Sequence, residues 1–554
     1  MKKILSNRKS LFVFWVLLLG LITWPLLLPG YFSHHDDLQV MRIVEMRKCL
    51  EDGQIPCRWV PDMGYGNGYP LFNYYSILPY YIGASFSFLA GYILAAKLLF
   101  AIPLILGLVS MYLLAKELFS KTAAILAAVL YSFAPYKALD IYVRGAVAES
   151  FALAFIPLTF YFVLKLIKEG RTKYLALFSI SLSLFLLSHN IMTILFIPIL
   201  LSFIMIFLAQ KKWKMIPFVT LGLSLGIGLS AFFILPAYFE KDLVQIDNLI
   251  RLDLNFRAHF VTLNQLFIDR FWGYGASSIG PNDTISFQIG WPHWWIVVVS
   301  SVLSLFNLIW KRKLSGLFAL WLIIIFLLSI FMTHIKSAFI WEKIEILKFT
   351  QFPWRFLSVA IFTSSLLGAY IIQSFKENKK LLIIFISLTV ILNWSYFRPE
   401  KFYFDLTDQE KLSGYLWEEQ QRAAILDYLP QTAVQPHEAA SGIPQVISGK
   451  AVIEGFENKS NRWQFQIKVN DQATVEVPTF DFPGWEVRVN NQKIDHSNKN
   501  YLGRISISFD KAGDYSAVGR FKNTWIRTIS NIISIVSLIV LIWIFYGKRE
   551  KVFK

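Results

Sequence analysis

The stretch Tyr31-Phe-Ser-His-His-Asp-Asp-Leu38 sets two imidazoles and two carboxylates side by side, His34, His35, Asp36 and Asp37. A carboxylate of this pair can act as general base on a hydroxyl, and the pair could hold a divalent cation. The competing reading is a helix cap, Asp36 or Asp37, with Arg42 and Glu45 on the surface of the helix that follows. A second stretch, Tyr142-Val-Arg144-Gly-Ala-Val-Ala-Glu149, offers one Arg and one Glu. They could clamp a phosphate and a sugar hydroxyl, or form a surface salt bridge worth little. Ser188-His189-Asn190 is a polar break between two apolar runs, either a tight turn or a place where an imidazole meets substrate. Gln351-Phe-Pro-Trp-Arg355 puts a cation at the entrance of an apolar run. Charge at membrane depth is costly and usually functional, although an Arg near a helix end can snorkel.

The elements that must position these residues are membrane spans. The chain has 554 residues, of which 55% are hydrophobic and only 16% charged, with a mean hydropathy of +0.49. A soluble globular surface needs more charge than that. Apolar runs long enough to cross a hydrocarbon core of about 30 Å fall at 11–29, 98–115, 122–136, 150–164, 174–187, 191–209, 215–238, 291–310, 314–332, 352–372, 381–394 and 529–546. The first follows Lys2, Lys3, Arg8 and Lys9 and reads as a retained signal anchor. Residues 77–94 are apolar enough to span, yet a span there would invert every later loop. They read as an interfacial or re-entrant helix.

The net charge of +17 does not indicate a nucleic-acid partner. Short loops on one predicted side hold 23 Lys and Arg against four acids, leaving the rest of the chain near neutral. That is the positive-inside pattern. It predicts a multi-pass protein of the plasma (cytoplasmic) membrane with both termini cytoplasmic, and an even number of spans agrees with that. The organisation expected is a membrane domain over 1–396 with outer loops 30–94, 139–149 and 239–290. An extracytoplasmic β-rich domain follows over 397–524, then a final span and basic tail over 525–554. Within 397–524, alternating runs from Trp463 to Val469, Ala473 to Val477, Trp485 to Val489 and Arg504 to Phe509 read as strands of a sandwich-like domain. Asn490-Asn491 reads as a hairpin turn. All eight histidines fall on the predicted outer side. The inner loops are too short for a nucleotide site, and no Walker or Gly-rich fingerprint occurs. A donor held by the membrane itself, such as a polyprenyl-phosphate sugar, fits better than a soluble nucleotide sugar. Cys49 and Cys57 share the first outer loop, as a disulfide or as two thiols.

These features carry a resemblance. A first span followed by an acidic pair, juxtamembrane helices and a multi-span core resembles the GT-C superfamily of glycosyltransferases. The series His35-Asp-Asp-Leu-Gln, Arg42, Glu45, Gly53-Gln-Ile-Pro56, Arg58-Trp-Val-Pro-Asp62, Gly64-Tyr-Gly66, Tyr69-Pro-Leu-Phe72 and Tyr75 resembles a family of bacterial membrane proteins labelled "6-pyruvoyl-tetrahydropterin synthase-related". Arg144-Gly, Ala148-Glu149, Ser188-His-Asn190, Phe352-Pro-Trp-Arg-Phe356, Tyr428-Leu-Pro430 and Phe482-Pro-Gly-Trp485 are similar to its later segments. The last of these also resembles bacterial membrane proteins linked to glycosylation of lipoteichoic acid. Cys57 departs from the pattern, which has proline there.

The resemblance implies a GT-C-like helical membrane protein that transfers a hexosyl or pentosyl group from a polyprenyl-phosphate donor. The acceptor would be extracytoplasmic, a glycolipid, polymer or protein of the envelope. It implies that Asp37 or Asp36 is the catalytic base, Asp37 by preference, or helps bind a divalent cation. Arg144 and Arg355 would then steady the departing phosphate, and His35, Glu149, His189 and Asn190 would contact sugar or acceptor. The rival readings are a transporter or flippase for lipid-linked sugars and a non-catalytic scaffold of envelope assembly.

Overall fold

The computed structural model describes residues 8–210, 212–251, 254–278, 280, 282–311 and 315–546. The basic residues expected at 2–3, 211, 312–313 and 548–554 lie outside them. Among the described residues, nine helices are long and apolar enough to cross a membrane. A tenth forms if the bent pair Lys121–Ser132 and Pro135–Val143, at 46°, counts as one span. The two remaining expected spans are the shorter apolar helices Phe12–Leu27 and Thr172–Ser188, so the count of twelve rests on helices of unequal reach. Residues 77–94 are divided. The helix Leu78–Ala90 has 13 residues, about 20 Å at 1.5 Å per residue, too short to cross. Gly91 ends it at φ +78°, and the next helix begins at Tyr92, earlier than the apolar run alone suggests. The Asp408 carboxylate explains that start. It accepts from the Tyr92 and Ile93 amides at 2.7 and 2.8 Å, and a Cβ on residue 91 would stand 2.6 Å from its Oδ2.

The bundle packs around Val147–Glu169 and Pro353–Ser374, whose apolar windows are 78% and 89% buried, whereas that of Trp525–Tyr546 is 17% buried and peripheral. Small residues allow the close approach. Gly368 sits against Leu130 and Leu126, and Thr363, Ser364 and Ser365 return their hydroxyls to carbonyls one turn back, so these hydroxyls are satisfied within their own helix.

Strands β1 (Tyr31–Phe32) and β2 (Phe402–Tyr403) pair antiparallel and tie the chain after the first helix to the segment after 396. The C-terminal region is an antiparallel sheet of β3 (Gln445–Lys459), β4 (Arg462–Phe480), β5 (Trp485–Val489), β6 (Gln492–Ile494), β7 (Arg504–Phe509) and β8 (Gly513–Phe521). Strand β4 pairs with β8 along its first half and with β7 along its second. The two runs expected over 463–477 are therefore one continuous strand. Asn490 and Asn491, at φ +48° and +66°, form the β5–β6 turn. Trp59 of the 30–94 loop packs against Phe482, Trp485 and Phe521 of the sheet region. Cys49 and Cys57 of that loop are joined as a disulfide. A buried pair closes the unit, Arg527 Nε to Glu240 Oε2 at 2.8 Å, with Asn73 and Thr524 also donating to Glu240.

Candidate functional site

At the end of the bundle where 30–91, 239–290 and 394–524 emerge lies a cavity of about 600 Å³. Its base comes from the turn at Arg144, the first turn of the helix at Glu149, and the 3₁₀ turn Pro353–Phe356 that carries Arg355. One wall comes from His35, Asp36 and Arg42, another from His189 and Asn190. Residues far apart in sequence meet because the His35–Asp36 backbone lies along the Arg144 turn. The His35 amide donates to the Val143 carbonyl at 2.9 Å, and the Asp36 amide to the Arg144 carbonyl at 3.0 Å. Gln39 donates to the Gly145 carbonyl at 2.9 Å. Gly145, at φ +67°, is required here, because a Cβ would come within 2.4 Å of His34 Nδ1.

The acidic pair divides. Asp36 lines the cavity and accepts from Arg42 Nη1 at 2.6 Å and Gln39 Nε2 at 3.1 Å. Asp37 turns away from it and accepts from Lys411 Nζ at 2.6 Å. Neither caps the helix Gln39–Glu51, whose N-cap position is Leu38 with no side-chain bond. Nor do Arg42 and Glu45 lie on its surface, for both are buried, Arg42 against the Tyr75 ring at 4.2 Å. The surface-cap reading fails because both faces of this short helix are covered. His34 is enclosed beside Tyr31, and burial pushes its imidazole down to about 4, so it is neutral at pH 7. His35 faces the cavity and donates from Nε2 to the Tyr274 carbonyl at 2.8 Å.

Arg144, Glu149 and Arg355 form one buried cluster rather than a surface salt bridge. Glu149 is fully buried. Its Oε2 meets Arg144 Nη1 at 3.0 Å and Arg355 Nε at 3.5 Å, and its Oε1 accepts from Tyr136. Asp140 also pairs with Arg144. Both Glu149 oxygens are thereby taken, and the residue acts as the counter-ion that holds two guanidiniums side by side. Arg144 stacks on Trp354 and Arg355 on Phe352, at 4.5 and 4.8 Å. Arg355 is 7% exposed and points inward, so it does not snorkel. Its Nη1 donates to the Thr350 carbonyl and Gln351. Among the described residues, neither arginine uses Nη2 in a hydrogen bond within the protein.

His189 caps the helix Asn190–Leu208 through Nδ1, which accepts from the Met192 amide at 3.2 Å. Burial, with Arg355 and Arg144 nearby, lowers it to about 3, while Glu149 acts against that shift. The imidazole is thus neutral with its proton on Nε2. Asn190 donates to the Tyr74 carbonyl at 3.1 Å. Sequence reasoning missed the contribution of Asp427 and Tyr428, which line the cavity from the segment before β3. Tyr428 stacks on Tyr74 at 5.5 Å. The Tyr428-Leu-Pro430 resemblance was the available signal, one residue short of Asp427. Among the described residues, no group of three or more His, Cys, Asp or Glu is placed to hold a metal ion. The donor set around Asp36 does not fit a divalent cation, and no step below is routed through one.

Fold and site together define a polytopic helical membrane protein that has a C-terminal sheet region and a charged cavity bordered by its loops. The chain belongs to the membrane-protein family described as the 6-pyruvoyl-tetrahydropterin synthase related domain, whose sequence model matches residues 72–399. It is 25% identical over 244 residues to an uncharacterized protein of Lactococcus lactis subsp. cremoris (strain MG1363), a match spanning 41% of this chain and 40% of that one. The structure is similar to that of the arabinofuranosyltransferase AftD from Mycobacteria, with a TM-score of 0.45 and 14% identity, over 72% of this chain and 28% of that one. It is also similar to the oligosaccharyltransferase of Archaeoglobus fulgidus, with a TM-score of 0.44 and 15% identity, over 78% and 60%.

Proposed function

We propose that this protein transfers a sugar from a polyprenyl-phosphate-linked donor to an acceptor on the outer face of the plasma membrane, a glycolipid, polymer or protein of the envelope. The observation that carries this reading is the pair of cavity-facing guanidiniums, Arg144 and Arg355, held side by side on the buried Glu149. Preorganised cations in a water-poor cavity stabilise charge where it develops, and a departing lipid phosphate is such a charge. The cavity continues from that polar base to apolar lining at Ile191, Ile194, Leu249 and Leu254, suited to the first units of a polyprenyl chain. The stacked Tyr74 and Tyr428 offer ring faces to a sugar. Asp36 then stands where it can orient a hydroxyl group. The transporter reading calls for matched broken helices, and the single bent pair has no counterpart among the described residues.

The test is consumption of radiolabelled undecaprenyl-phosphate glucose or arabinose by membranes containing the full chain. The reading predicts release of undecaprenyl phosphate by wild type and loss of at least about tenfold in kcat/KM for Arg144→Lys, since a lysine cannot reproduce the fork geometry. Arg144→Lys and Arg355→Lys both matching wild type would remove the basis of the reading.

A further inference from the structure

The transferase reading above needs a group to accept the acceptor's proton, and Asp36 is already engaged through one oxygen. Its Oδ2 already meets Arg42 Nη1 at 2.6 Å and Gln39 Nε2 at 3.1 Å, with the Tyr75 hydroxyl at 3.5 Å. That oxygen is committed to holding Arg42 and Gln39 in place. Asp37 is outside the cavity on Lys411.

A third carboxylate lines the same cavity. Asp427 closes the short turn Ile425–Asp427, after Ala424 in the left-handed region at φ +56°. Its backbone is fixed on the far side. The Gln245 amide donates to the Leu429 carbonyl at 2.8 Å, and the Gln431 amide to the Leu243 carbonyl at 3.0 Å. Among the described residues, no hydrogen bond or ion pair engages the Asp427 side chain. The titratable and charged groups that face it are Arg42, Asp36, Tyr69 and Tyr428. Burial pushes its carboxyl up, Arg42 pulls it back and Asp36 adds to the rise, which leaves it at about 7. A base performs best when it titrates near the working pH.

We propose that Asp427 is the general base that takes the proton from the acceptor, with Asp36 and Arg42 as positioning residues. The acceptor O–H proton moves to an Asp427 oxygen as the acceptor oxygen bonds to the anomeric carbon. The bond from that carbon to the phosphate oxygen breaks, and its electron pair leaves on the lipid phosphate between Arg144 and Arg355. The proton on Asp427 then returns to water. One carboxylate thereby holds geometry, and another is left free to exchange a proton.

The experiment uses the full chain in membranes, with undecaprenyl-phosphate glucose or arabinose as donor and undecaprenyl phosphate as binding probe. Asp427→Asn is expected to lower kcat by about 10²- to 10⁴-fold, the usual contribution of a general base, with undecaprenyl phosphate bound as by wild type. The acid limb of the wild-type rate profile, centred near pH 7, is expected to vanish in Asp427→Asn and to return, shifted, in Asp427→Glu. Asp36→Asn is expected to raise KM and keep that limb. Wild-type turnover with Asp427→Asn within about threefold of it, and the acid limb unmoved, would overturn this assignment and leave the transferase reading standing. Wild type that neither binds undecaprenyl phosphate nor consumes either donor would overturn both.

Discussion

At the scale of residues, what matters is which charges are committed and which are free. Glu149 is committed to Arg144, Arg355 and Tyr136. Its replacement by Gln leaves the buried Arg355 without a carboxylate and Arg144 with Asp140 alone, at a cost of about 3–5 kcal/mol, measurable as a large fall in Tm in detergent. Arg144→Gln is expected to weaken phosphate binding with a smaller fall. The enclosed histidines set a second expectation. His34 and His189 are lowered from 6.5 to about 4 and about 3. Groups depressed on folding contribute stability that is complete above their unfolded value and drains away as pH falls towards the folded one. Thermal stability should therefore drop between pH 6.5 and about 4, and His34→Gln should flatten part of that slope. A Tm that does not change across this window would contradict the burial described. The types of the site residues were legible in the sequence, because four polar stretches interrupt an apolar chain. Their states were not. Whether Asp36 or Asp37 faces the cavity depends on a register fixed by the hydrogen bonds of His35 and Asp36 to residues 143 and 144, which no local pattern encodes.

Elements show the same division. Strands β4, β5 and β7 and the Asn490-Asn491 turn were legible because period-two alternation is local, whereas β3, β6 and β8 were not singled out. The break at Gly91 was not, because it depends on Asp408, 316 residues from the Tyr92 amide it caps. Asp408→Ala should cost about 1 kcal/mol, as loss of a helix N-cap does, read as increased amide exchange over Tyr92–Ala96. Gly145→Ala should do more, since its Cβ would displace His34 and with it the segment carrying Asp36. Loss of transfer with near-normal expression is expected, and unaltered kinetics would show that the Arg144 turn has room to adjust.

Across the whole molecule, the loops and the sheet region form one lid-like assembly over the bundle. Trp59 sits among the sheet's aromatics, Arg504 Nε reaches Asn67 at 2.6 Å, and the Arg527–Glu240 pair fixes the last helix to the start of the 239–290 segment. The cavity is therefore built jointly by segments that read as separate domains in sequence. Composition alone made the multi-span class legible, since hydropathy needs no tertiary information. The convergence of positions 36, 144, 189, 355 and 427 on one cavity needed the fold.

The central claim is that this cavity takes a lipid phosphate between Arg144 and Arg355. Native mass spectrometry of undecaprenyl phosphate on wild type, Arg144→Gln and Arg355→Gln tests it most directly. Loss of one charge-assisted contact, about 1.5–3 kcal/mol, predicts affinity lower by about tenfold to a hundredfold in each variant. Equal binding by all three proteins would contradict the account.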